Sequence, residues 1–194
     1  MTSRGSSATI SLGSSTSTTS YPDFLLLTQP LRISSGICAF SSLLLHFASL
    51  GTSFWLLETT HKGLAHSGLW QVCLHQECRT YWFTLLAPHI HATRAFLVMG
   101  CFCGLLSLLC VCISFERDQI FHTSLTITAA AFSFSAGFLN LIAMSVFTAV
   151  HRSSQAYSHF LLLFGSSYGL GWASVPMYSI TGMLLLLTHH MTIS

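Results

Sequence analysis

Charged positions divide the chain into four long uncharged stretches, 33–57, 95–115, 119–151 and 153–194, of 25, 21, 33 and 42 residues. A helix needs about 20 mainly apolar residues to cross a bilayer, and all four stretches reach that length. Inside lipid, backbone N–H and C=O groups find no water, so each crossing segment must be helical. The predicted spans are about 33–57, 95–115, 125–150 and 160–187. Pro30 and Arg32 precede the first and Glu58 closes it; Glu116-Arg117-Asp118, His151-Arg152 and His189-His190 end the others. The connection 58–94 is long, whereas 116–124 and 151–159 are short and make their flanking helices antiparallel neighbours. This predicts a tail over 1–31, a four-span domain over 32–187 with one elaborated loop, and a short tail over 188–194.

Composition sharpens the picture. Only 12 of 194 residues are Asp, Glu, Lys or Arg, 6%, against roughly 25% in a soluble domain. The apolar fraction of 52% is ordinary, so the missing charge is what excludes a soluble enzyme, a nucleic-acid binder and a disordered chain. A formal charge of +2 supplies no basic patch for nucleic acid. Residues 1–20 hold 13 Ser or Thr and little to bury, which predicts a disordered tail. The longest apolar run before residue 30, Phe24-Leu25-Leu26-Leu27, is too short for a secretory signal, so the first span is expected to act as the targeting signal.

Five cysteines, Cys38, Cys101, Cys103, Cys110 and Cys112, fall in spans; Cys73 and Cys78 fall in the long loop. The loop pair is flanked by strand formers. The reading is a β-hairpin with a four-residue turn and the cysteines across its neck, a spacing that suits a disulfide. Disulfides form outside the cytosol, which puts the loop outside and both termini in the cytosol. Two reduced thiols in a cytosolic loop are the alternative. The positive-inside rule mildly opposes the chosen orientation: Arg4, Arg32 and Arg117 lie inside, against Lys62, Arg79, Arg94 and Arg152 outside.

Trp55, then Gly68-Leu69-Trp70, Cys73 and Cys78, resemble the W…GLW…C…C signature of the claudin superfamily of tetraspan proteins. Ala92-Thr93-Arg94-Ala95-Phe96 and Ser167-Tyr168-Gly169-Leu170-Gly171-Trp172 are similar to the branch of lens fibre membrane intrinsic protein, epithelial membrane proteins and peripheral myelin protein. The resemblance covers about residues 33–187. It implies an all-α membrane protein, a left-handed four-helix bundle with a small extracellular sheet mainly from the first loop. It also implies a Cys73–Cys78 disulfide, a Trp70 anchored near the membrane surface, a role for Arg94 at the end of the loop, and action at cell contacts. The sequence departs from the family in a closer cysteine pair, a short second outer loop, and the ending Met191-Thr192-Ile193-Ser194, which does not suit a PDZ scaffold.

Single residues refine these expectations. Trp55, Trp70 and Trp82 read as interfacial tryptophans with a wet N–H. Arg94 is expected to bond the first loop, because a charge-selective pore calls for several like charges and only Arg79 lies between Cys78 and Arg94. Leu74, His75 and Gln76 at the turn, with Trp82-Phe83, form the candidate contact face. Gly100 and Gly104, and Gly165 and Gly169, place small residues one turn apart for close helix packing or lateral association. Asn140 is expected to bond a neighbouring helix, and His46 to face the bundle. Pro176 is expected to kink the fourth span unless neighbours satisfy the freed carbonyl. Cys110 and Cys112, near the cytosolic end, are candidate palmitoylation sites. His89-Ile90-His91 would share a face on a strand, but no thiol or carboxylate completes a site, so no metal and no cofactor is expected. The carboxylates Asp23, Glu58, Glu77, Glu116 and Asp118 pair with no nucleophile or base, so no catalysis is expected.

Two functions follow. One is a contact protein at the plasma membrane and cell–cell junctions, binding itself or related tetraspan proteins in cis or trans. The other is a lateral accessory or trafficking subunit within one membrane. A channel ranks last, because the second and fourth spans carry no Asp, Glu, Lys, Arg or His before their ends and the first only His46.

Overall fold

The computed structural model describes residues 21–60, 63–74, 77–80, 88–116, 119–120, 123–157 and 162–193. The Ser/Thr-rich stretch 1–20 lies outside the described residues. Four helices, α1 (Tyr21–Gly51), α2 (Pro88–Ser114), α3 (Leu125–Tyr157) and α4 (Ser166–Ile193), form the bundle. Each contains a stretch long and apolar enough to cross a membrane. Between α1 and α2 come strands β1 (Leu56–Thr60), β2 (Gly63–Ser67), β3 (Gln71–Leu74) and β4 (Glu77–Thr80). A two-stranded β5–β6 hairpin (Gln119–Ile120, Thr123–Ser124) joins α2 to α3, and β7 (Leu162–Phe164) precedes α4. The five-stranded sheet has the order β4-β3-β2-β1-β7, antiparallel throughout.

The bundle is packed inside out relative to a soluble fold. Along α1 the buried positions include Ser35, Ala39, Ser42, His46 and Ser49, while Ile37, Phe40, Leu44 and Phe47 are exposed. Along α4 the buried set is mostly Ser167, Gly171, Ser174, Tyr178, Thr181, Gly182 and Thr188. Lipid tails are as apolar as leucine, so large hydrophobes gain nothing by turning inward. Small and hydroxylic residues turn inward instead. They let backbones approach and bond across the seam, as in Ser107 Oγ to Ala129 O at 2.8 Å and Ser133 Oγ to Tyr178 O at 2.9 Å. His46 faces the bundle, with Nδ1 3.2 Å from the Tyr178 hydroxyl.

Several boundaries differ from the sequence expectation, each for a physical reason. Helix α1 begins at Tyr21, inside the stretch expected to be a tail, and ends at Gly51 rather than near residue 57. The chain leaves the helix at Thr52, whose Oγ1 lies 2.7 Å from Ser167 Oγ, and the apolar Trp55-Leu56 beyond it is buried in the sheet's root, not in lipid. Likewise Leu162–Phe164 is a strand, so the fourth span starts at Ser166 and runs on to Ile193. Pro176 lies inside α4, whose helix is continuous through it. Hydropathy alone cannot tell a buried strand from a span of the same composition.

Candidate functional site: the sheet and its anchor to the bundle

The sheet's root is Trp55, fully buried rather than interfacial. Its ring packs among Leu56, Leu69, Leu97, Met144 and Phe147, meeting Phe147 edge to face at 4.8 Å. Its indole N–H donates to Ser49 O at 2.8 Å, near the end of α1, where helix carbonyls lack helical partners. Its backbone N–H donates to Ser67 O at 3.0 Å, and its carbonyl accepts from Gly165 N at 2.9 Å. One residue thus ties α1, β2 and the entry to α4 together.

Trp70 and Arg94 hold the next corner. Trp70 is part exposed, but its N–H is not wet: it donates to Leu50 O at 2.8 Å. Arg94, on α2 and only 5% exposed, donates from Nε to Leu69 O at 2.8 Å, and an Nη hydrogen reaches the same carbonyl. Its guanidinium lies 4.8 Å from the centre of the Trp70 ring, within cation–π range. Gly68 completes the corner: a side chain there would meet the Ser53 Cα at 2.5 Å. The three residues of Gly68-Leu69-Trp70 therefore contribute differently. The glycine allows close approach, the leucine supplies a buried side chain and a carbonyl, and the tryptophan supplies a ring and a donor.

The Ser167–Trp172 stretch forms the opposite wall. Ser49 Oγ donates to Ser167 O at 2.8 Å, and Phe54 N–H donates to Ser167 Oγ at 3.1 Å. Tyr168 stacks on Phe164 at 4.2 Å. Gly171 leaves room for Ser49 Oγ and Met144 Sδ, each 2.8 Å from where a Cβ would sit. In the sequence Ser167 is only one letter of a motif; its role as a clamp emerges once α1 and α4 stand side by side.

Away from this root, the edge strand β4 is exposed. Cys73 and Cys78 face each other in register and are joined by a disulfide, with Cα atoms 4.1 Å apart. Pairing continues to Leu74 opposite Glu77, so two residues, not the four expected, separate the strands. All of β4 is exposed, as are Val72 and Leu74 on β3. His75, Gln76, Trp82 and Phe83 lie outside the described residues. His66, Cys73 and Cys78 bring three ligand-type atoms within 4.8 Å, but both sulfurs are committed to the disulfide.

The remaining candidates separate clearly. Gly100 and Gly104 sit at a helix crossing: a Cβ at 100 would meet His46 and Ala136 O, and one at 104 would collide with the Tyr178 hydroxyl. Gly165 precedes α4 rather than packing within it, and a Cβ there would strike the Phe54 carbonyl. Gly169 is exposed, with nothing within 4 Å of its would-be Cβ, so 165 and 169 form no packing face inside the bundle. Asn140 is fully buried and donates from Nδ2 to Gly171 O at 3.2 Å and to Ser174 Oγ. Cys112 is exposed on an apolar groove of about 420 Å³ between α1 and α2, away from the sheet; Cys110 is partly buried. His89 and His91 stand in the first turn of α2, where two residues apart means opposite sides, not the shared face of a strand.

Four membrane-spanning helices, a small antiparallel sheet rooted by a buried tryptophan, and a disulfide in that sheet define a claudin-type tetraspan protein. Residues 31–185 match the PMP-22/EMP/MP20/Claudin family, and the chain belongs to it. Among its relatives, mouse Protein NKG7 is 30% identical over 73% of this chain and 81% of its own length. Bovine lens fiber membrane intrinsic protein is 26% identical over 79% of this chain and 88% of its own. The human lens protein is 27% identical over 75% and 84%.

Proposed function

We propose that this protein is a non-enzymatic organiser of cell–cell contacts at the plasma membrane, with the sheet outside and both termini in the cytosol. The supporting observation is the β3–β4 hairpin. It is clamped by a disulfide at mid-length, and its root is held by buried Trp55 and Arg94, yet Val72, Leu74 and all of β4 face solvent. Exposed apolar side chains on a preorganised strand pair lose little entropy on binding. Such a hairpin suits docking against a second copy, or a related tetraspan protein, on an opposing membrane. Val72→Asp with Leu74→Asp tests this in expressing cells. Surface amount and disulfide should persist while enrichment at contacts falls to that of free membrane; undiminished enrichment would count against the hairpin.

A second reading, lateral association within one membrane, is favoured by one observation. Gly169 leaves an open notch on α4, of the kind that admits a neighbouring helix. Gly169→Leu should then abolish co-purification of a membrane partner without changing trafficking, and retention of the partner would argue against this use of the notch.

A further inference from the structure

Strand β4 ends the sheet, with no further strand beside it among the described residues, and its four residues are all exposed. An edge strand offers a row of backbone donors and acceptors to another chain. Which residues offer them follows from the ladder. Gly68 N–H donates to Gln71 O, so Gln71 and, two residues on, Cys73 turn their backbone groups toward β2. Cys73 and Cys78 are then a non-hydrogen-bonded pair, and their short Cα separation of 4.1 Å agrees. Leu74 with Glu77 and Val72 with Arg79 make the bonds between β3 and β4. The N–H and C=O groups of Cys78 and Thr80 therefore point away from β3, to the open edge. Side chains alternate too: Glu77 and Arg79 share the face of Val72 and Leu74, opposite to the disulfide.

We infer that the open edge of β4 pairs antiparallel with β4 of a second copy of this chain, about a two-fold axis at Cys78. Charge selects this register. Centring the pair on Glu77 sets glutamate against glutamate, and centring it on Arg79 sets arginine against arginine, both unfavourable. A centre between two residues sets outward backbone groups against inward ones and makes no ladder. Centring on Cys78 sets Glu77 of each copy opposite Arg79 of the other, twice, because a two-fold axis makes every contact reciprocal. It also lets the outward groups of the two Cys78 residues bond each other, and makes Glu77–Arg79 a non-hydrogen-bonded pair, in which side chains stand closest. The strand thus carries its own complement, on an edge the disulfide already holds. The inference rests on the hairpin being the binding element of the contact reading, and adds its occupant and register.

The test uses two differently tagged full-length copies on cells, briefly crosslinked with formaldehyde and purified through one tag; recovery of the other tag reports pairing. The wild type should recover its second copy. Glu77→Arg with itself and Arg79→Glu with itself set like charges opposite, and each should lower recovery at least about fivefold. Glu77→Arg mixed with Arg79→Glu, and the Glu77→Arg/Arg79→Glu double variant with itself, restore unlike pairs and should return to near the wild-type value, which two folding defects would not do. Enrichment at cell contacts, read on the same cells, separates the two readings. Recovery that follows the charge pattern without enrichment supports the edge pairing and removes the contact role. Enrichment and recovery that persist in both single variants support the contact role and overturn the edge pairing. A wild type that recovers no second copy, or single-variant losses that mixing does not restore, would also overturn it.

Discussion

Arg94 is buried with its guanidinium on the Leu69 carbonyl and the Trp70 ring. Lysine at this position keeps a charge but loses the planar fork that bonds one carbonyl twice while covering a ring. Arg94→Lys should therefore lower stability by about 1–2 kcal/mol, read as an earlier thermal unfolding midpoint in detergent, whereas an unchanged midpoint would remove Arg94 from the anchor. Its bond to the first loop was legible in the sequence, because a lone arginine directly before an apolar helix needs a carbonyl or a water. The burial of Trp55 was not, since a tryptophan at the end of an apolar run looks the same whether lipid or protein lies beside it.

At the scale of elements, the number of helices was readable from where charge is missing, and their ends were not. Trp55-Leu56 and Leu162–Phe164 are apolar because they root and edge a sheet, yet in composition they extend the neighbouring helices. The cysteine spacing and its strand-forming flanks disclosed the β3–β4 hairpin but missed the pairing of Leu74 with Glu77. Strand β7 was hidden because its pairing with β1 joins segments on opposite sides of two helices. That pairing gives Gly165 its importance, since it is where the chain turns from β7 into α4 against the Phe54 carbonyl. Gly165→Ala should force the backbones apart, costing about 1–3 kcal/mol and reducing delivery to the cell surface. Normal surface amounts and an unchanged unfolding midpoint would show that the β1–β7 junction tolerates displacement.

At the scale of the whole molecule, a seam of small and hydroxylic residues, with buried clusters around Leu97–Met144–Phe147 and Val111–Leu185, holds four helices together while most of their large hydrophobes face outward. A sheet stands on one end, rooted by Trp55, Trp70 and Arg94. The part of the sheet beside Trp55 and Arg94 is buried against the helices, and the part stiffened by the disulfide carries the exposed Val72, Leu74 and β4. This division of labour is what the proposed contact role rests on. Its sharpest test is to mix cells expressing a tagged copy with cells that lack it, and to compare density at three places: contacts between two expressing cells, contacts with a non-expressing cell, and free membrane. A contact role predicts enrichment only where both cells express the protein. Uniform density over all three surfaces would refute it.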